Sequence, residues 1–181
     1  MSRVIREALR SGVDDEQLLS LLFEELERQV PAELQSDIER FLEVLAQLPV
    51  GLRAMAATHQ LDVSLTLDDI GWHFANWHHH GYCAETSRGL RELGALELAA
   101  TFDEAYAIAR RHWEAVSELL ARTPGNFAEA YFDSALEREL RPCDERLRAL
   151  AGIPSTQPIG GIHRLWLAYA HRHPERLAHE A

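Results

Sequence analysis

Apolar residues recur three and four apart along almost the whole chain, and that spacing restricts the fold more than any other feature. After "GVDD", Leu18, Leu19, Leu22, Phe23 and Leu26 form one stripe that stops before Pro31. Leu34, Ile38, Phe41, Leu42 and Leu45 form the next, up to Pro49. A period of 3.6 puts each set on one side of a helix, whereas a half-buried strand needs alternation by twos. Only "LDVSLTL", residues 61–67, hints at that alternation, as a short strand or a loop after a brief helix in "GLRAMAATHQ". The longest stripe, Ala99, Phe102, Tyr106, Ala109, Trp113, Val116 and Leu120, predicts one long central helix from about Leu96 to Arg122, ending at "TPGN". Its seam must be covered by the chain's own helices or by a second copy. Two amphipathic segments, "FAEAYFDSALEREL" and "CDERLRALAG", and a last helix from about Ile162 to before Pro174 complete an all-α, single-domain multi-helix bundle over residues 1–181.

A chain of 181 residues can bury one substantial core, and no Pro/Ser/Gly-rich tract marks off a second. "MSRVIREALRSG" carries charge where a secretory leader needs apolar residues, and no run reaches the roughly 18 apolar residues of a membrane span. A soluble cytoplasmic protein is the expectation. Cys83 and Cys143 belong to no CxxC pair, which fits a reducing compartment. The 29 acidic residues outnumber 18 basic ones, all arginine, for a formal net charge of -11. Direct nucleic-acid binding and attraction to anionic lipid are disfavoured, and a basic partner is the natural one.

The stretch "DDIGWHFANWHHHGYC", residues 68–83, concentrates His73, His78, His79 and His80 beside Trp72, Trp77 and Cys83. With Thr66 or Asp68 as N-cap of one helix, Asp69, His73, Asn76 and His80 fall in one narrow arc, and Leu67, Ile70, Phe74 and Trp77 on another face. His73 and His80 would then lie two turns apart, roughly 10 Å, too far to share an ion held at ~2 Å from each nitrogen. A zinc site would need His59, His112 or His163 as well, and no HExxH motif supports it. A Cys83 nucleophile beside a histidine is a weaker alternative. No catalytic residue, cofactor or metal is assigned, and the stretch is read as aromatic anchors flanked by capping and hydrogen-bonding polar residues.

Other residues carry a resemblance. Asp69, Ile70, Gly71 and Trp72, then Leu90, Leu93, Gly94, Ala95 and Ala99, and finally His173, Pro174 and Glu175 after "LWLAYA" resemble the motifs of the DNA-mimic protein family, small helical bacterial proteins classed as a domain of unknown function. Asp69 and Ile70 stand where that family has Asn and Gly. The likeness spans about residues 45–177. It implies an all-α fold, frequent homodimers and no known catalytic residues; for acidic members it implies binding to a DNA-binding regulator in place of DNA.

A decoy for DNA needs carboxylates in exposed columns. Glu129, Asp133 and Glu137 stand at i, i+4 and i+8, and Glu33–Asp37, Glu39–Glu43 and Glu114–Glu118 are further pairs at i, i+4. Like charges so placed cost a helix roughly 0.2–0.5 kcal/mol per pair. Glu24–Arg28 and Glu137–Arg141 show that favourable pairing also occurs. The chain is therefore expected to be an acidic protein-binding module for a basic or DNA-binding partner, dimeric and without activity of its own. The alternatives are a histidine-rich metal-binding protein or metal-dependent hydrolase, and an immunity-type protein that neutralises a basic toxin.

Overall fold

The computed structural model describes residues 3–122, 127–132, 134–157 and 159–179, and no strand occurs among them. The first helices are α1 (Arg3–Ser11), α2 (Asp15–Gln29), a 3-10 turn at Ala32–Ser36, and α3 (Ile38–Gln47). Then come α4 (Val50–Leu67), α5 (Ile70–Asn76), α6 (His80–Glu92), α7 (Leu96–Arg111) and α8 (Trp113–Arg122). The remainder is α9 (Phe127–Tyr131), α10 (Ala135–Ala151), α11 (His163–Arg172) and a 3-10 turn at Pro174–Leu177. None of these helices is long and apolar enough to cross a membrane.

The centre of the bundle is α4, with Leu52, Met55, Ala57, Leu61 and Leu65 fully buried. The short-helix-then-strand reading of this region does not hold: residues 50–67 form one helix. Burial on several sides removes the one-faced stripe by which a helix is recognised, and packing overrides the modest strand preference of Val63 and Thr66. Against α4 lies α6, so close that a Cβ on Gly89 would sit 2.9 Å from the Ala54 carbonyl oxygen. Thr86 Oγ1 donates to the Ala57 carbonyl across the same contact, at 3.0 Å. Arg53 and Arg88 both clamp Glu85 at the rim, at 2.6–2.8 Å. Burial works to raise the Glu85 carboxyl, but the two guanidinium groups outweigh it and hold the group below its ordinary value.

The predicted long central helix is two helices. His112 bonds back to Ala109 and Arg110 with ψ near 6°, which ends α7, and Trp113 starts α8. Arg111 and His112 both reach Glu139 on α10, and Trp113 stacks on His78 and His80, so side-chain contacts with two neighbours compensate for the broken ladder. Ala99, Phe102, Ala109 and Val116 of the seam join the common core, and Tyr106, Trp113 and Leu120 pack half-buried against it. The expected end at "TPGN" lies outside the described residues.

The two predicted amphipathic segments are also divided differently. α9 stops at Tyr131, and Ser134 caps a new helix by accepting the Glu137 N–H at 3.0 Å. That helix, α10, runs through Pro142 to Ala151 and ends on Gly152 in the left-handed conformation. Near Pro31 the chain makes a 3-10 turn, and only after it does Asp37 cap α3 by accepting the Arg40 N–H.

Candidate protein-binding surface and the histidine segment

The histidine segment is two helices joined by a sharp turn. Asp69 caps α5, its Oδ1 accepting the N–H groups of Gly71 at 2.8 Å and Trp72 at 3.1 Å. Asp144 on α10 takes a third N–H, from Ile70, at 2.8 Å. The Tyr131 hydroxyl donates to Asp69 from the end of α9, over a Gly71 whose missing side chain leaves the room: a Cβ there would overlap the Tyr131 ring. Burial nonetheless raises the Asp69 carboxyl above its usual range, and the Tyr131 phenol is raised chiefly by burial as well. The motif Asp69-Ile70-Gly71-Trp72 is thus a helix cap fitted against an aromatic ring. Trp72 completes it with an edge-to-face contact on Phe127, ring centres 5.1 Å apart.

Because α5 ends at Asn76, the single arc of Asp69, His73, Asn76 and His80 does not form. His73 is fully buried, held by the Gln60 carbonyl and 3.4 Å from Ser64 Oγ, and burial pushes its pKa down to about 4. The other three histidines diverge. His78 Nδ1 donates to the Phe74 carbonyl at 3.1 Å and its ring stacks on Trp113 at 3.9 Å. His79 caps α6 through Nδ1, which accepts the Tyr82 N–H, and its Nε2 donates to Glu39 at 2.9 Å. His80 meets the Tyr106 hydroxyl at 2.6 Å and stacks on the same Trp113 at 4.3 Å. Among the described residues no three His, Cys, Asp or Glu side chains converge on an ion position. The Cys83 thiol is buried and pushed up to about 12, so it is not a thiolate at neutral pH.

The other motif residues are also helix terminations. Gly94 has φ 79° at the end of α6, where its N–H bonds to Arg91 and the next N–H, of Ala95, to Leu90. That is the double closure for which a left-handed glycine is suited. His173 ends α11, Pro174 opens the last 3-10 turn, and Leu177 is fully buried behind it. Tyr169 and Arg176 both hold Glu92 at this corner.

The carboxylate columns fare unequally. Asp133 and the Glu129 side chain lie outside the described residues, but the end of α9 at Tyr131 already separates Glu129 from Glu137. Glu137 is mostly covered and clamped by Arg141 at 2.8 Å, so the continuous column centred on it is not formed. Glu33 sits on the 3-10 turn and Asp37 is spent as a cap, so this pair is not helical either. Glu39–Glu43 on α3 and Glu114–Glu118 on α8 remain exposed pairs one turn apart.

Carboxylates are more concentrated between Asp14 and Glu43, where the spacing rule passed over six of them. Residues 14–43 contain ten acidic residues against Arg28 and Arg40 only. Asp14, Asp15, Glu16, Glu24 and Glu27 on and before α2 are all exposed. Residues 46–173 contain sixteen acids and twelve arginines, many of them joined, as in Arg91–Asp103, Arg146–Glu104 and Arg148–Asp144. A charge count in a window of about thirty residues finds this whole segment, whereas the search for i, i+4 columns picks out only Glu33, Asp37, Glu39 and Glu43 within it.

The class defined by these features is an all-helical bundle whose motif residues cap and seat helices and whose unneutralised acidity gathers on α2 and α3. The chain belongs to the family described as DMP19-like protein, which matches residues 46–173. Comparisons with curated proteins and with solved structures found no match.

Proposed function

We propose that the protein is an acidic binding module that occupies the DNA-binding surface of a basic regulator, with the α2–α3 face as its contact. The observation that carries this reading is the segment 14–43, where ten acids face two arginines while the family-matched body is close to internally neutralised. Exposed carboxylates in that excess repel one another unless a cationic partner covers them. Membership of the family supports the reading, since the resemblance to DNA-mimic proteins implies such a partner. The same resemblance implies a homodimer, and light scattering at micromolar concentration should give twice the chain mass.

The test uses the partner captured from a native lysate on the immobilised protein. The complex should dissociate steeply with salt and compete with the partner's DNA in a gel-shift titration. Replacing Glu16, Glu24, Glu27 and Glu43 with Gln removes four exposed charges at similar helix propensity, and should weaken binding at least tenfold with the melting temperature little changed. A partner that binds its DNA equally well in the complex rules out mimicry. A captured partner with no affinity for DNA points to the immunity-type reading.

A further inference from the structure

Away from the family motifs, three polar residues form a chain that runs from a buried carboxylate to two half-buried imidazoles. Asp62, 6% exposed, accepts the backbone N–H of Ile162, and its Oδ2 lies 3.3 Å from His163 Nδ1. Gly161, with φ 63°, lets the chain approach, since a Cβ there would overlap Asp62 Oδ1. His163 Nε2 stands 3.3 Å from His59 Nδ1. Burial keeps both imidazoles neutral at pH 7, His163 at about 4 and His59 also below its usual value. Each ring therefore carries one proton. The Asp62 carboxylate draws that of His163 to Nδ1, so Nε2 accepts from His59 Nδ1–H. His59 Nε2 is left with a lone pair and no partner among the described residues.

His59 also lines a cavity of about 140 Å³ whose walls are mainly Phe23, Leu26, Val30, Phe41 and Ala56, with Glu27 and Gln60 at its polar side. This is close to the ~150 Å³ at which an engineered apolar protein cavity accepts benzene. Phe23 lies edge-on to both imidazoles, at 5.4 and 5.1 Å, so the relay and the apolar wall are one structure.

We propose that this cavity is a binding site for a small aromatic molecule with one hydrogen-bond donor, a phenol-sized ligand that donates to His59 Nε2 and packs its ring against Phe23 and Phe41. Walls from α2, α3 and α4 meet here, so an occupant braces the acidic helices against the family-matched body. The site does not rest on the partner proposed above, although Glu27 belongs to both, so the titrations use the protein with Glu27 unaltered.

Calorimetric titration of the full chain at pH 7 with phenol, and separately with anisole, tests it. Anisole keeps the ring and oxygen but has no donor. Phenol should bind with Kd on the order of 1 mM, and anisole at least about tenfold more weakly, the discrimination expected when a ligand covers the His59 acceptor without donating to it. His59→Phe should abolish the preference for phenol. Ala56→Leu leaves the Asp62–His163–His59 chain in place, fills the cavity and should abolish binding of both. Equal affinity for phenol and anisole in the unaltered protein, or no heat from phenol up to roughly 20 mM, overturns the proposal; so does phenol binding undiminished in a folded Ala56→Leu variant.

Discussion

Between pH 6.5 and pH 4 the protein is expected to lose about 3 kcal/mol of folding stability through His73 alone. The folded ring, fully buried, takes a proton only near pH 4, whereas in the unfolded chain it does so near its ordinary value of 6.5. A lowered folded pKa means that stability is complete above the unfolded value and falls as acid protonates the unfolded state first. His163, also at about 4, and His59 act in the same direction. Asp62 and Asp69, raised chiefly by burial, act oppositely at the acid end, because their folded forms hold protons that the unfolded chain releases. Urea unfolding at half-unit pH steps measures the net curve, and His73→Leu isolates one contribution: its curve should be flatter by about one proton over this range. A slope identical in the two proteins would mean that His73 is not held neutral.

Gly71→Ala should destabilise the fold by about 2–3 kcal/mol, at the upper end for an inserted methyl group. The new carbon displaces the Tyr131 ring, and moving that ring also withdraws its hydroxyl from Asp69, the residue that caps α5. The cost is thus overpacking together with a weakened buried hydrogen bond. A double-mutant cycle separates the parts: with Tyr131→Ala already in place, Gly71→Ala should cost less than about 1 kcal/mol, the helix-interior propensity gain of alanine working in its favour. Equal costs in the two backgrounds would place the strain elsewhere.

The helical class was legible because its signal is summed over many residues. Boundaries were legible where ordinary punctuation marks them, as Pro49 does for α4 and Pro174 for α11. They were hidden where unusual residues end helices. No glycine or proline separates α5 from α6; histidine at position 79 serves as the cap, outside the set of side chains that usually do so. The break at His112 is likewise accompanied by contacts of Trp113 with His78 and His80 and of His112 with Glu139, 27 to 35 positions away in sequence, which no local pattern contains. One boundary was written in the chain and passed over: Ser134 followed three residues later by Glu137 is a capping-box spacing, and it ends the supposed column through Glu129 and Asp133. Of the candidate residues, Gly71, Gly94 and the His173-Pro174 turn could be singled out by motif. That Gly71 makes room for Tyr131 required the fold, because the two are sixty residues apart.

The placement of acidity ahead of the family-matched body bears on how such proteins diversify. α2 joins that body through Leu18, Leu22, Phe23 and Leu26, while Asp15, Glu16, Glu24 and Glu27 on the same helix stay exposed. A lineage can therefore redraw the outward face of α2 and α3, in charge or in reach, while the inward side still fits the same socket and the caps at Asp69 and Gly94 stay untouched. If that face is the contact proposed above, recognition and foldability drift on separate clocks, and relatives with an unchanged scaffold bind different proteins.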